Sequence, residues 1–311
     1  MANRRTLLIG TRGSRLARAQ AEAARGMLSF LHPDRDWLLR EIRSEGDVRR
    51  QASLASIGGR GVFVKALEDK LLAGEIDLAV HSLKDMPTQL TTGLKIGAVL
   101  PREDARDALV SRGGLTLDDL PSGAVVGSGS ARRRAQLLAY RSDLVVQDVR
   151  GNVDTRLRKL SSGGYDAMIL AAAALIRLQR TSAISQWLPL TLMLPAVGQG
   201  ALAVEVRESD EEVRELVQPL NHRPTERAVS AERAFLLALG GGCTVPVAAY
   251  AAVAHGRLLL QGLVANLNGK KVIRDSLRGS SRNAEAAGRR LAARMLSQGA
   301  AQILREAAGG Q

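Results

Sequence analysis

The chain has 311 residues, 45% hydrophobic and 24% charged, an ordinary balance for a soluble globular protein with room for two or three domains. Its 44 Lys and Arg against 31 Asp and Glu leave a net charge of +13 and call for an anionic partner; yet with 3% aromatic residues, and basic ones spread along the whole chain, a nucleic-acid binder is disfavoured. A single cysteine excludes an internal disulfide and a multi-thiolate metal site, and with no export-like start and no run apolar enough to span a bilayer the expected setting is the reducing cytoplasm, away from membranes.

From the N-terminus, strands and helices alternate. "TLLIGT" (6–11) reads as a buried strand, "RLARAQAEAARGML" (15–28) as a helix and "WLLREI" (37–42) as a strand. "GVFVKALEDKLLAG" (61–74) is an amphipathic helix closed by Gly74, and "IDLAVH" (76–81) is again a strand. This alternation predicts a mostly parallel sheet with helices on both faces. Around "PREDARDAL" (101–109) the composition turns charged and the alternation restarts. Strands are predicted at 124–128, 144–150 and 165–174, with helices at 131–139 and 153–164.

"IGTRGSRLARAQ" (9–20) and "VGSGSARRRAQ" (126–136) share a pattern of strand, glycine, hydroxyl residue, serine and helix. Ser14 to Gln20 and Ser130 to Gln136 have the same spacing. Each lobe would then offer a helix N-terminus, which favours anions through its free N–H groups and dipole.

The remainder has a different rhythm. "TERAVSAERAFLLALGGGC" (225–243) is a helix running into a glycine loop, and "AEAAGRRLAARMLSQGA" (284–300) is a closing helix. Between them lie three strand candidates separated by His255-Gly256 and Asn268-Gly269, and Asn-Gly is a strong hairpin signal. The expected class is α/β, with two mostly parallel, doubly wound lobes and a C-terminal α+β domain built on a three-stranded antiparallel sheet. Boundaries are expected at 1–100 with 200–218, 105–194, and 222–311.

Four stretches carry candidate chemistry. "HSLKDMP" (81–87) follows a buried strand, the usual place for ligand chemistry in an open α/β sheet. Alone, Lys84-Asp85 reads as a surface ion pair; in that position the carboxylate suits proton transfer or stabilisation of a developing cation. "RGNVDTR" (150–156) sets Arg150 and Arg156 on either side of a helix start, a solvated basic face or a carboxylate grip. "LPAVGQGALAVE" (194–205) reads as a return between lobes, with Gln199 as its one candidate side chain. In "GGGCTVP" (240–246) Cys243 is either a small buried hydrophobe or, unshielded among glycines, an accessible thiol. The four histidines satisfy no metal motif, so no metal is expected. Neither a phosphate loop nor a G-x-S-x-G elbow occurs.

Taken together, "TRGSRLARAQ", "RGVFVKALE", "HSLKDMP", "REDARDALVS", "GSGSARRRAQL", "RGNVDTRL", "DAMILAAAAL", "LPAVGQGAL", "AERAFL" and "GGGCTVPV" resemble, in this order and along nearly the whole chain, the hydroxymethylbilane synthase (porphobilinogen deaminase) family. The resemblance implies a transferase of haem and tetrapyrrole biosynthesis with two periplasmic-binding-protein-like lobes. It would deaminate porphobilinogen, couple the units head to tail on a dipyrromethane cofactor thioether-linked to Cys243, and release hydroxymethylbilane by hydrolysis. It implies Asp85 as the catalytic carboxylate, balancing the cationic azafulvene-type species formed as ammonia leaves. Ser82, Lys84, Ser128, Ser130, Arg132, Arg133, Arg150 and Arg156 are implied as binders of cofactor and growing chain. Arg12, Ser14, Gln20, Phe63, Arg177 and Gln199 are implied as the substrate site. Each pyrrole carries acetate and propionate groups, so the product chain is an oligoanion, which accounts for the basic charge without nucleic acid. The implied protein is a cytoplasmic monomer.

Three positions depart from the family pattern. Gly129 stands where a hydroxyl residue is usual, Arg60 where lysine is common, and Ala105 where proline is frequent. The competing class is a two-lobed solute-binding protein for an anionic ligand, which shares the lobes but has no use for a cysteine loop.

Overall fold

The computed structural model describes residues 6–42, 61–240 and 246–309. In chain order its strands are β1 (Thr6–Arg12), β2 (Asp36–Ile42), β3 (Leu78–Ser82), β4 (Leu94–Val99), β5 (Asp107–Ser111), β6 (Val125–Gly127), β7 (Val145–Gln147), β8 (Ala167–Ala171), β9 (Gln186–Trp187), β10 (Leu202–Arg207), β11 (Val247–Ala254), β12 (Arg257–Ala265) and β13 (Val272–Ser280). The α-helices are α1 (Arg15–Leu31), α2 (Gly61–Leu72), α3 (Ala131–Tyr140), α4 (Val153–Ser161), α5 (Ala172–Arg177), α6 (Glu211–Val217), α7 (Arg223–Ala238), α8 (Ala284–Met295) and α9 (Ala301–Gly309). The chain divides into two compact units, 1–102 with 201–226 and 103–200 with 227–311.

The first unit holds a five-stranded sheet in the order β2-β1-β3-β10-β4. Four strands run one way and β10 runs against β3 and β4. Helix α1 starts where Ser14 accepts a hydrogen bond from Ala17 N–H, 3.2 Å away, and it buries Gln20, Ala21, Ala24 and Leu28. That spacing puts one helix stripe on the sheet. The helix stops at His32, whose backbone (φ −131°, ψ 70°) has left the helical region, as the clash with a following Pro33 favours. One face of the sheet packs Leu7, Ile9, Val80 and Val204 against α1 and α6; the other packs Ala79 and Leu94 against Leu67 and Leu71 of α2. The lobe is therefore doubly wound.

The second unit repeats this plan in the order β7-β6-β8-β5-β9, with β5 as the antiparallel strand. Pairing registers make β1 equivalent to β6, β3 to β8 and β10 to β5: Gly10 pairs with Ala79 as Gly127 pairs with Met168. The two glycine–serine stretches thus follow topologically equivalent strands, so the resemblance between them is structural. In each sheet the antiparallel strand comes from the segment that has just crossed from the other lobe.

The same unit carries the antiparallel sheet β11-β12-β13, with Phe235, Leu260, Leu291 and Met295 in its core beside α7 and α8. At the β12–β13 hairpin Gly269 has φ +72°, and a Cβ there would lie 2.6 Å from Ala135 O and also collide with Ala139 N of α3. Arg274 of β13 donates to the carbonyls of Leu190 and Thr191. The hairpin therefore braces α3.

The fold class is the expected one, but some boundaries differ. The strand predicted over 165–174 ends at Ala171, and the alanine run continues as α5 because alanine favours helix once the sheet edge is passed. The helix predicted to 243 ends at Ala238, with Gly240 at φ +90°. The closing helix predicted over 284–300 is regular to Met295, widens to a π turn over Leu296–Ala300, and resumes as α9. Strands β4, β5, β9 and β10 are not separable from their flanking loops by pattern, since strands of two to six residues are too short to show a clear alternation, and β5 and β10 are in addition buried along nearly their whole length.

Candidate active site

In the first unit the expected residues gather at the carboxyl ends of β1 and β3. Arg12 ends β1, Ser14 caps α1, and Gln20 faces inward from the second turn of that helix. The Gln20 Nε2–H donates to Ser82 Oγ at 2.8 Å, tying α1 to the last residue of β3. The chain then makes a single 3₁₀ turn, Leu83–Asp85, pinned by Leu83 N–H to Ala201 O at 3.0 Å and by Met86 N–H to Leu83 O at 3.2 Å. Leu83 is buried while Lys84 and Asp85 are half-buried, so the apolar residue anchors the turn and the two charged ones stay accessible. Phe63 lies in the first turn of α2.

The second unit holds the arginine set. Ser128 and Ser130 precede α3, and Ser130 makes no side-chain cap hydrogen bond. Arg132 and Arg133, on the first turn of α3, are buried and converge on Asp107 at the start of β5. Arg132 Nη1 lies 2.8 Å from Asp107 Oδ2 and donates to Leu194 O at 2.6 Å. Arg133 donates from Nε and Nη2 to Asp107 Oδ1, at 3.1 and 2.7 Å, and from Nη1 to Ile169 O at 2.9 Å. Gln199 Nε2–H also donates to Asp107 Oδ1, at 2.9 Å, and to Ala105 O at 2.8 Å. Burial alone would raise the Asp107 pKa; the two guanidiniums outweigh it and hold the carboxyl well below the usual carboxylate range. One carboxylate against two guanidiniums leaves a surplus of one positive charge.

Arg177, at the end of α5, donates to Gly200 O at 2.7 Å, and burial lowers its pKa against the opposing pull of Glu103. Arg150 is exposed, and Arg156 donates from Nε to Gly151 O at 2.9 Å across the α4 start capped by Asn152. Cys243 and Arg60 lie outside the described residues. Among the described residues no group of His, Cys, Asp or Glu is arranged to hold a metal ion.

Sequence reasoning missed Asp107. Its signal is a charged residue entering a strand whose next three members are apolar, within "RDALV". A carboxylate there must be paired to be buried.

Residues 7–215 match the family described as "Porphobilinogen deaminase, dipyromethane cofactor binding domain", and residues 227–297 match "Porphobilinogen deaminase, C-terminal domain". The chain belongs to the porphobilinogen deaminase family. A porphobilinogen deaminase of Desulforudis audaxviator is 50% identical over 97% of each chain, and that of Geobacillus kaustophilus is 50% identical over 96% of this chain and 97% of its own. Family members are transferases of tetrapyrrole biosynthesis, so this assignment stands over the solute-binding alternative. Among solved structures, the periplasmic VFT2 domain of Bordetella pertussis BvgS has a TM-score of 0.42 at 15% identity, covering 69% of this chain and 86% of that one. No helix among the described residues is long and apolar enough to cross a membrane.

Proposed function

We propose that the chain deaminates porphobilinogen and joins the units head to tail, releasing hydroxymethylbilane, with Asp85 as the catalytic carboxylate and Cys243 as the covalent anchor. The observation that carries this reading is the Leu83–Asp85 turn at the end of buried β3, in a chain aligning over 97% of its length with a porphobilinogen deaminase.

The donor set suits a dipyrromethane cofactor. Arg132 and Arg133 share one counter-carboxylate, so their surplus charge suits the acetate and propionate groups of an oligopyrrole. Ser128 and Ser130 ahead of α3 add a hydroxyl and helix N–H groups for the same carboxylates. When bound, the cofactor supplies the fixed pyrrole end from which the chain grows.

The protein's own residues divide the remaining work. Asp85 accepts hydrogen bonds from pyrrole N–H groups and balances the positive charge that develops as ammonia departs. Lys84 and Ser82 hold a neighbouring carboxylate. In the first unit Arg12, Ser14, Gln20 and Phe63 receive the incoming monomer, with Gln20 oriented by its hydrogen bond to Ser82; in the second, Arg177 offers its charge to a substrate carboxylate, and Gln199 acts by holding Asp107, to which its amide donates. Arg150 and Arg156 track the lengthening anion from the start of α4. The protein works as a cytoplasmic monomer and engages neither nucleic acid nor membrane.

The intact mass of the protein, purified from a host that makes porphobilinogen, tests this. An excess equal to two linked pyrrole units, mapped to the Cys243 peptide, is expected. If the bare mass persists after incubation with porphobilinogen and with preformed hydroxymethylbilane, the proposal fails.

A further inference from the structure

Beneath the Leu83–Asp85 turn lies a buried charged cluster that the reaction outlined above does not use. Glu205 of β10 is 0% exposed, and His81 of β3 and Glu68 of α2 are each 5% exposed. His81 and Glu205 are diagonal neighbours on one face of the antiparallel pair, since His81 pairs with Ala203 and Glu205 with Ala79. His81 Nε2 lies 3.0 Å from Glu205 Oε2 without the alignment of a hydrogen bond. Glu68 Oε2 accepts from Thr91 Oγ at 2.9 Å. Glu68 Oε1 and both Glu205 oxygens have no hydrogen-bond partner among the described residues. Two buried carboxylates beside a single imidazole in an apolar interior favour keeping a proton on one of the acids.

Among the described residues, the other charges of α2 and β10 make no hydrogen bond to these oxygens. On α2, Lys65 and Asp69 are exposed. Arg207, further along β10, is taken up by Asp210 and by the carbonyls of Leu71 and Ile76. Strand β1 pairs Gly10 with Ala79, which sets Arg12, two residues further on, level with His81 on the same face. Burial raises the Glu68 pKa; the Thr91 hydrogen bond opposes this, the Glu205 charge adds to it, and His81 opposes it. That direction agrees with the hydrogen-bond accounting.

The duplicated lobe supplies an internal control. Registers in the second unit put Val110 where the first has Glu205, and Leu170 where it has His81. The framework therefore folds with two apolar residues at these points, and the first unit carries charge there for another reason. The Asp85 turn hangs directly from His81 and Ser82.

Building on the reading of Asp85 above, we propose that His81 as cation, Glu205 as anion and Glu68 as neutral acid form a proton-holding cluster that fixes the end of β3 and positions the Leu83–Asp85 turn. These are positioning residues and touch no substrate.

Two measurements on the cofactor-loaded protein test this. Ring ¹⁵N NMR at pH 7.5, with His81 assigned by elimination using variants of His32, His222 and His255, is expected to show His81 with a proton on both nitrogens. A neutral His81 ring overturns the proposal. The second measurement compares His81→Leu, Glu205→Val and the double variant, which copies the apolar pair of the other lobe. Each single variant strands a buried charge and is expected to lose thermal stability. The double variant is expected to regain the wild-type melting temperature, yet its Leu83 and Met86 amides exchange faster and its kcat stays down by about a hundredfold with KM little changed. Recovery of kcat and amide protection together with melting temperature would reduce the cluster to a structural ion pair. If no protein, wild type included, turns over porphobilinogen, the functional reading fails, while the ring protonation and amide exchange still decide the cluster.

Discussion

Asp107→Asn removes the charge that lets two guanidiniums be buried side by side while keeping the side chain's size. Asp107 is 0% exposed and accepts from Arg133 and Gln199, with Arg132 Nη1 2.8 Å from its second oxygen. Without it, Arg132 and Arg133 face each other as buried like charges. Removing one partner of a buried pair costs about 3–5 kcal/mol, a large part of the roughly 5–15 kcal/mol that holds a domain together. The second unit contains two sheets and need not unfold in one step, so local opening is the appropriate measure. Amide exchange over 128–140 and 166–171 is expected to accelerate in Asp107→Asn by about a hundredfold or more, since 1.4 kcal/mol is a factor of about ten. The pH dependence has a definite sign. The native pKa of Asp107 is depressed below 3.8, so its stabilisation is present above that value and is lost as pH falls through the folded pKa. Wild-type exchange should therefore approach that of the variant in acid. Exchange within threefold of wild type at neutral pH would refute the argument.

Other expectations rest on separate features. Gly269→Ala forces a Cβ against α3 at φ +72° and should cost about 1–3 kcal/mol, read as a lower melting temperature. Glu68 titrates higher folded than unfolded, so wild type should lose stability as pH rises from 4.5 toward that raised value; Glu68→Gln lacks this slope, and its melting temperature relative to wild type should climb across the window. Cys243→Ser should show no covalent mass gain, whereas Asp85→Ala should keep the gain and lose turnover; tetrapyrrole formation at the wild-type rate by Asp85→Ala would sink the assigned mechanism.

The elements that sequence made legible are those with a period or a punctuation mark. Helix α1 shows a stripe of inward residues after a serine cap, and the two hairpins of the C-terminal sheet are marked by His255-Gly256 and Asn268-Gly269. The crossing strands β5 and β10 lack alternation because both faces are covered, and their neighbours in the sheet lie far away in sequence. The "HSLKDMP" stretch stood out because its chemistry follows a recognisable strand. The Asp107 cluster did not, because a buried pair is written as separate residues whose meeting only register reveals. His81, Glu205 and Glu68 were hidden for the same reason, coming from β3, β10 and α2.

The duplication of the lobes allows stability and function of the arginine cluster to be separated. Counting from the shared serine, Arg132 and Arg133 occupy the places of Leu16 and Ala17, and the registers put Asp107 at the place of Leu202. The first lobe thus folds with an apolar trio where the second has a charged one. A buried ion cluster replaced as a whole by apolar side chains is often neutral or stabilising by about 1–4 kcal/mol, because no charge has to be desolvated. The triple variant Asp107→Leu, Arg132→Met, Arg133→Met should therefore exchange as slowly as wild type over 128–140, unlike Asp107→Asn. It should nevertheless fail to retain a growing polyanion, since the surplus positive charge is gone. Turnover of porphobilinogen by the triple variant, followed by mass spectrometry of Cys243-linked species, is expected to stall at short chains or fail to start. A triple variant as unstable as Asp107→Asn would show that the cluster holds the lobe together, and one that is stable and makes hydroxymethylbilane normally would remove Arg132 and Arg133 from the binding set.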